Sequence, residues 1–177
     1  MNEQILVVNE NDEVIGLNTK ENCHAGQGIL HRAITIFVFN DQNEILLTKR
    51  SALKKLWPNF WDTSCSTHLR PGETNEQAGE KRLNEEIGFS CPLKPLLKFQ
   101  YRINFKNIGS EYELCHLLIG HYAGEVKPNQ DEVSDYKWIS VEQLKNKINH
   151  QDITPWLKIA FEKYLEYLND TPFNKGG

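Results

Sequence analysis

The stretch from Trp61 to Phe89 constrains the fold most. An extended polar segment, Trp61-Asp62-Thr63-Ser64-Cys65-Ser66-Thr67-His68, runs into the turn Pro71-Gly72-Glu73 and then into a helical pattern over Asn75 to Ile87. Thr74 or Asn75 can cap that helix, Ala78, Arg82, Leu83 and Glu86 recur at helical spacing, and Gly88 can end it. Strand-like patterns flank it. Ala33 to Phe39 is β-branched and aromatic, Asn40-Asp41-Gln42-Asn43 turns, and Glu44 to Lys49 returns, which predicts a hairpin. Gln4 to Val8 and Val14 to Gly16 predict a shorter one, whereas Thr19 to Leu30, polar and containing Gly26 and Gly28, reads as a loop. Beyond the helix, Leu96 to Phe105 and Glu111 to Tyr122 read as strands, Val133 to Ile139 as another, and Val141 to Ile148 and Trp156 to Leu168 as helices. Strands on both sides of a helix, with helices closing the chain, predict a mixed α/β sandwich: one domain over residues 1–168 and a frayed tail at 169–177.

The chain's 177 residues suit a single core. Its net charge of -4 gives no general attraction to nucleic acid or anionic membrane, so any anion site must be local. No apolar run approaches membrane-spanning length and the first residues lack a signal-peptide layout, so a cytoplasmic protein is expected. Cys23, Cys65, Cys91 and Cys115 form no Cys-x-x-Cys pair and read as free thiols. Nothing in these features sets the oligomeric state.

Three groups of residues carry chemistry. His24, His31 and His68 with Glu111 and Glu113 offer nitrogen and oxygen ligands, and the two glutamates, two apart in a strand, emerge on one face. A solvated strand face with scattered histidines has the same spacing; if a metal is held, imidazole plus carboxylate suits zinc or manganese better than a soft-metal site. Lys20, Lys49, Arg50, Lys54, Lys55 and Arg82 form a basic group that fits a small phosphorylated ligand, or an ordinary solvated loop. Glu85 and Glu86 lie near a helix C-terminus, where they oppose the helix dipole, a placement that points to a ligand more than to stability.

Glu73 with Lys81-Arg82-Leu83-Asn84-Glu85-Glu86-Ile87-Gly88-Phe89 resembles the Nudix box, with Thr67 at its first glycine, Lys81 at its arginine and Arg82 at the glutamate that follows. The chain as a whole, from about Ile5 to about Phe161, resembles the type 1 isopentenyl diphosphate isomerases of the Nudix superfamily. The likeness rests on His24 and His31, Arg50 with Leu53-Lys54-Lys55-Leu56-Trp57-Pro58, Trp61, His68 with Gly72-Glu73, Tyr101-Arg102, Glu111-Tyr112-Glu113-Leu114-Cys115, Asp131-Glu132-Val133, Tyr136 and Trp138, and Thr154-Pro155-Trp156. It implies a Nudix-type fold and interconversion of isopentenyl and dimethylallyl diphosphate. It further implies that His24, His31, His68, Glu111 and Glu113 hold a zinc or manganese ion and that Glu86 holds magnesium with the substrate diphosphate. By the same resemblance Lys20, Arg50, Lys54 and Arg82 bind the diphosphate, and Glu113, supported by Tyr101, is half of the acid/base pair.

The other half is a cysteine in the family. Here that position is Ser66, and Cys65 stands one residue earlier, where an extended segment would point it to the opposite face. Phe161 stands near a tryptophan of some members. Trp57, Trp61, Phe99 and Tyr101 are candidates for apolar walls around a carbocation-like state, or for the core. The readings left open are an isomerase working through Ser66 or Cys65, a repurposed protein acting on another diphosphate, a Nudix hydrolase, and a silent diphosphate-binding module.

Overall fold

The computed structural model describes residues 3–150 and 152–170. In chain order the elements are β1 (Gln4–Val8), β2 (Val14–Thr19), α1 (Lys20–His24), β3 (His31–Phe39), β4 (Glu44–Arg50), β5 (Trp61–Asp62), β6 (Cys65–His68), α2 (Asn75–Ile87), β7 (Leu93–Phe105), β8 (Gly109–His121), β9 (Val133–Ser140), α3 (Val141–Lys147) and α4 (Pro155–Asp170). One mixed sheet holds the strands. Its middle is β3, which pairs antiparallel with β6 on one side and parallel with β8 on the other.

Alternation along β3 sends Ile34, Ile36 and Val38 into a core with Leu83 and Ile87 of α2, and sends Ala33 and Phe37 into a second core with Leu157 and Phe161 of α4. The sheet therefore lies between α2 and the closing helices α3 and α4, as the sequence pattern predicts. Phe161, set beside a family tryptophan in the sequence, is a fully buried core residue. Local signals set the helix ends. Thr74 and Gln77 form a reciprocal capping box at the start of α2, Ser140 and Gln143 form another on α3, and Gly88 closes α2 at φ 77°.

Three expectations change. Within the supposed loop Thr19 to Leu30, Lys20–His24 is a helical turn, because the Thr19 hydroxyl accepts from Asn22 N. The predicted hairpin of β3 and β4 is joined only at Phe39 and Ile45 before its strands separate. Between them the chain around Ser64 enters: Ser64 N donates to Ile36 O, Ser64 Oγ donates to Leu46 O, and Val38 N donates to Ser64 Oγ. That wedge opens the sheet, seating Trp61–Asp62 against β4 and Cys65–His68 against β3. Of the expected tail, Asn169 and Asp170 belong to α4, while residues 171–177 lie outside the described residues.

Candidate active site

Register decides which side chains meet. Ser66 pairs with Thr35 and His68 with Ala33 across β6 and β3, His31 pairs with Glu113 across β3 and β8, and Tyr101 pairs with Glu113 across β7 and β8. Alternate positions share a face, so Thr35, Ser66, His31, His68, Glu111, Glu113 and Tyr101 gather on one side of the sheet. Cys65, one residue out of step, packs in the core under α2, with its Sγ 3.6 Å from Glu86 Oε2. Burial and the Glu86 charge push its thiol well up.

The five candidate ligands converge. One donor atom from each of His24, His31, His68, Glu111 and Glu113 lies within 4.8 Å of every other. His24 Nδ1 donates to Lys20 O at 2.6 Å and His31 Nδ1 to Ile29 O at 2.7 Å, since a carbonyl can only accept. In the neutral tautomer these bonds select, the lone pair of Nε2 turns inward. That of His24 faces Glu111 Oε2 at 2.8 Å, and that of His31 faces Glu113 Oε1 at 3.5 Å. His31 Nε2 and Glu111 Oε2 are buried without a hydrogen bond among the described residues, despite that proximity. Lone pairs directed at carboxylates in a buried site repel unless a proton or a cation lies between them, so this set fits a divalent ion.

The charges respond to the same crowding. Burial pushes His68 down to about 3 against the pull of Glu113, so its imidazole is neutral. Burial opposes the charge on His24, but Glu111 and the Lys20 carbonyl outweigh it and the net shift is upward. Burial and Glu113 raise Glu111, whereas at Glu113 the nearby His31 and His68 overcome burial and hold the carboxyl well below the usual range. Tyr101, raised far up by burial and by Glu113, stays protonated and donates to Glu113 Oε2 at 2.5 Å.

A cavity of about 630 Å³ opens above this floor, lined by His24, Ser66, His68, Tyr101, Glu111 and Glu113 together with Lys20, Arg50, Lys54, Lys55, Arg82 and Glu86. His31 is fully buried below it. Lys49 is not on this wall; it lies 5.8 Å from the Trp61 ring centroid. Arg82 Nη2 is 2.7 Å from Glu86 Oε1 and 3.0 Å from Glu132 Oε1, and Lys54 also pairs with Glu132. Arg50 is held differently: Nη1 donates to Asp62 Oδ2 at 2.9 Å, and Nε and Nη2 donate to the Leu56 and Trp57 carbonyls.

Of the four aromatic residues considered as walls, only Tyr101 lines the cavity. Trp57 and Phe99 are core residues, and Trp61 lies beneath Lys137, 3.6 Å from its ring centroid. The second aromatic wall is Trp156, whose Nε1 donates to Asp62 Oδ1 at 2.6 Å.

Residues 29–157 match the NUDIX domain. The chain is 42% identical over 160 residues to isopentenyl-diphosphate Delta-isomerase 2 of Photorhabdus laumondii, covering 89% of this chain and 90% of that one. Against isopentenyl-diphosphate Delta-isomerase 1 of Aromatoleum aromaticum it is 35% identical, covering 93% and 94%. The chain belongs to the isopentenyl-diphosphate isomerase family of NUDIX proteins. A human relative, isopentenyl-diphosphate delta-isomerase 2, is 31% identical over 98% of this chain and 89% of its own. Among solved structures, a Deinococcus radiodurans protein superposes with a TM-score of 0.75 at 22% identity, covering 91% of this chain and 98% of that one, a likeness of fold.

Around this cavity, residues given no role from sequence now have positions. Asp62 and Glu132 line the cavity and bind its cations, and Thr35 and Thr63 lie against Ser66. Asp62 was visible as a carboxylate inside the Trp61 to His68 segment. Two of its partners, Thr154 and Trp156, lie more than ninety positions away, so no local pattern marks its importance.

Proposed function

We propose that this chain interconverts isopentenyl and dimethylallyl diphosphate, delivering a proton to one end of the five-carbon unit and removing one from the other. The observation that carries this reading is the placement of Ser66 and Glu113 on one face beneath one cavity. Ser66 stands two residues, about 7 Å, along β6 from His68, and His68 Nε2 is 2.9 Å from Glu113 Oε1. This leaves room for a small hydrocarbon between hydroxyl and carboxylate. Tyr101 orients Glu113, and Tyr101 and Trp156 offer aromatic faces to a developing tertiary cation.

His24, His31, His68, Glu111 and Glu113 would hold zinc or manganese, which, when bound, fixes the imidazoles and sets the proton affinity of Glu113. Glu86 would share magnesium with the diphosphate. Its oxygens are now engaged by Arg82, Lys54 and Cys65, so the cations would turn from Glu86 toward phosphate as substrate enters. Lys20, Lys54 and Arg82 clamp the diphosphate, and Arg50, fixed by Asp62, adds charge behind them. Arg82 at the hydrolase glutamate position supports isomerisation over hydrolysis.

Incubation of isopentenyl diphosphate with the chain in deuterated water, with magnesium and either zinc or manganese, is expected to place label at C2 and C4 and to yield dimethylallyl diphosphate. Release of phosphate instead would establish hydrolysis, and saturable diphosphate binding without exchange would leave a binding module.

A further inference from the structure

A serine cannot do what a thiol does unaided, because its hydroxyl neither ionises near neutral pH nor retains an added proton. The surroundings of Ser66 are specific. Its Oγ lies 2.8 Å from Thr35 Oγ1 and 2.9 Å from Thr63 Oγ1, and Thr35 Oγ1 donates to Thr63 Oγ1 at 3.0 Å. Thr63 Oγ1 carries one proton of its own, within reach of Cys65 O at 3.1 Å and Asp62 Oδ1 at 3.4 Å. Thr63 is fully buried and Ser66 lines the cavity, so the hydroxyls run from substrate space to a carboxylate.

We infer that Ser66 works as a relay and that Asp62, reached through Thr63, is the group that accepts and returns the proton on this side of the site. The inference rests on the isomerase reading. In one arrangement Thr35 shares its proton between Ser66 and Thr63, Ser66 donates to Thr63, and Thr63 donates to Asp62. Once the Glu113 carboxyl, protonated in the substrate complex, has given its proton to C4 and become a carboxylate, the C2–H bond beside the cation is strongly acidic. That bond breaks, and its electron pair forms the C2–C3 double bond. Its proton goes to Ser66 Oγ, the Ser66 proton to Thr63 Oγ1, and the Thr63 proton to Asp62 Oδ1. Both hydroxyls end neutral and the carboxylate becomes the acid. In the reverse reaction the same protons run back, and between turnovers Asp62, on the cavity wall, exchanges with water.

Register supports this division of labour. Cys65, the nearby thiol, is turned under α2 and its proton is directed at Glu86, so it does not reach this hydroxyl group. Asp62 is held by Arg50, Trp156 Nε1 and Thr63 N, which fix its carboxylate relative to the Thr63 hydroxyl. Thr63 is accordingly a positioning and relay residue whose effect passes through Ser66.

The test uses Thr63→Val, which removes the relay hydroxyl while leaving Asp62 and Arg50 in place. With isopentenyl diphosphate and metal-loaded protein, kcat is expected to fall about 100-fold or more, the usual scale of a lost proton-transfer group, with KM within about twofold. Deuterium entry at C2 should fall in step, and Thr63→Ser should restore both. In a Ser66→Cys background the thiol exchanges its own proton, so adding Thr63→Val should change kcat little, which also verifies that the variant folds. Equal losses from Thr63→Val in the serine and cysteine backgrounds would mark Thr63 as merely structural and overturn the relay. A natural chain that is active, with Thr63→Val equally active, also overturns the relay but leaves the isomerase reading intact. A natural chain that is inert, with Ser66→Cys active, overturns both the relay and the reading of Ser66 as a working group.

Discussion

The indole Nε1 of Trp156 donates to Asp62 Oδ1 at 2.6 Å, joining the first turn of α4 to the strand that leads into Ser66. The guanidinium of Arg50 approaches the same aspartate at 2.9 Å and the Trp156 ring at 5.2 Å, so helix, carboxylate and cation form one buried unit at the cavity wall. Trp156→Phe keeps most of the ring and removes the donor. A charge-assisted bond of this kind contributes about 1.5–3 kcal/mol. Urea unfolding should show a loss of that size, with diphosphate affinity weakened through Arg50; an unchanged midpoint would mean that Asp62 finds another donor at no cost.

The ligand cluster predicts a metal-dependent fold. Chelation should lower the melting temperature, and zinc or manganese should restore it, because an ion that binds only the native state stabilises it by mass action. His31→Gln should abolish both the bound metal, measured by elemental analysis, and the thermal response. A chelated protein that melts at the temperature of the loaded one would rule out a resident ion here.

Asp12, at φ 67° in the first hairpin turn, receives Arg32 Nε at 2.8 Å and lies 2.9 Å from His116 Nε2. Burial raises its carboxyl, but Arg32 and His116 more than offset this and hold it below the usual carboxylate range. The unfolded chain thus binds a proton more readily than the folded one. The contribution is fully present above the unfolded value and is lost as pH falls through the folded one. Asp12→Asn should therefore destabilise the protein at pH 7, and the gap from the natural chain should close in acid. A gap that does not vary with pH would refute the assignment.

Gly88 ends α2 at φ 77°, and a Cβ there would lie 2.7 Å from the Lys127 carbonyl oxygen. Backbone bonds from Lys127 N to Ile87 O and from Asn129 N to Glu86 O tie this turn to the loop bearing Glu132. Gly88→Ala should cost roughly 1–3 kcal/mol through the left-handed φ and the clash. It should also weaken diphosphate binding, by moving Glu132 away from Arg82 and Lys54. Isothermal titration against inorganic pyrophosphate would measure the second effect, and unchanged affinity would uncouple the turn from the site.

The sequence determined what short-range chemistry controls. Thr74, Gln77 and Gly88 set the ends of α2, alternating apolar residues set both faces of β3, and the spacing of Glu111 and Glu113 puts them on one face of a strand. The order of motifs was also enough to show the family resemblance. Tertiary structure decided the rest. Ser64 separates β3 from β4, one residue of register sets Ser66 beside Thr35 and Thr63 and turns Cys65 under α2 toward Glu86, and Trp156 reaches Asp62 across 94 positions. Pairing partners and buried hydrogen bonds are chosen among distant segments by which arrangement leaves the fewest polar groups unsatisfied, and no local pattern records that choice.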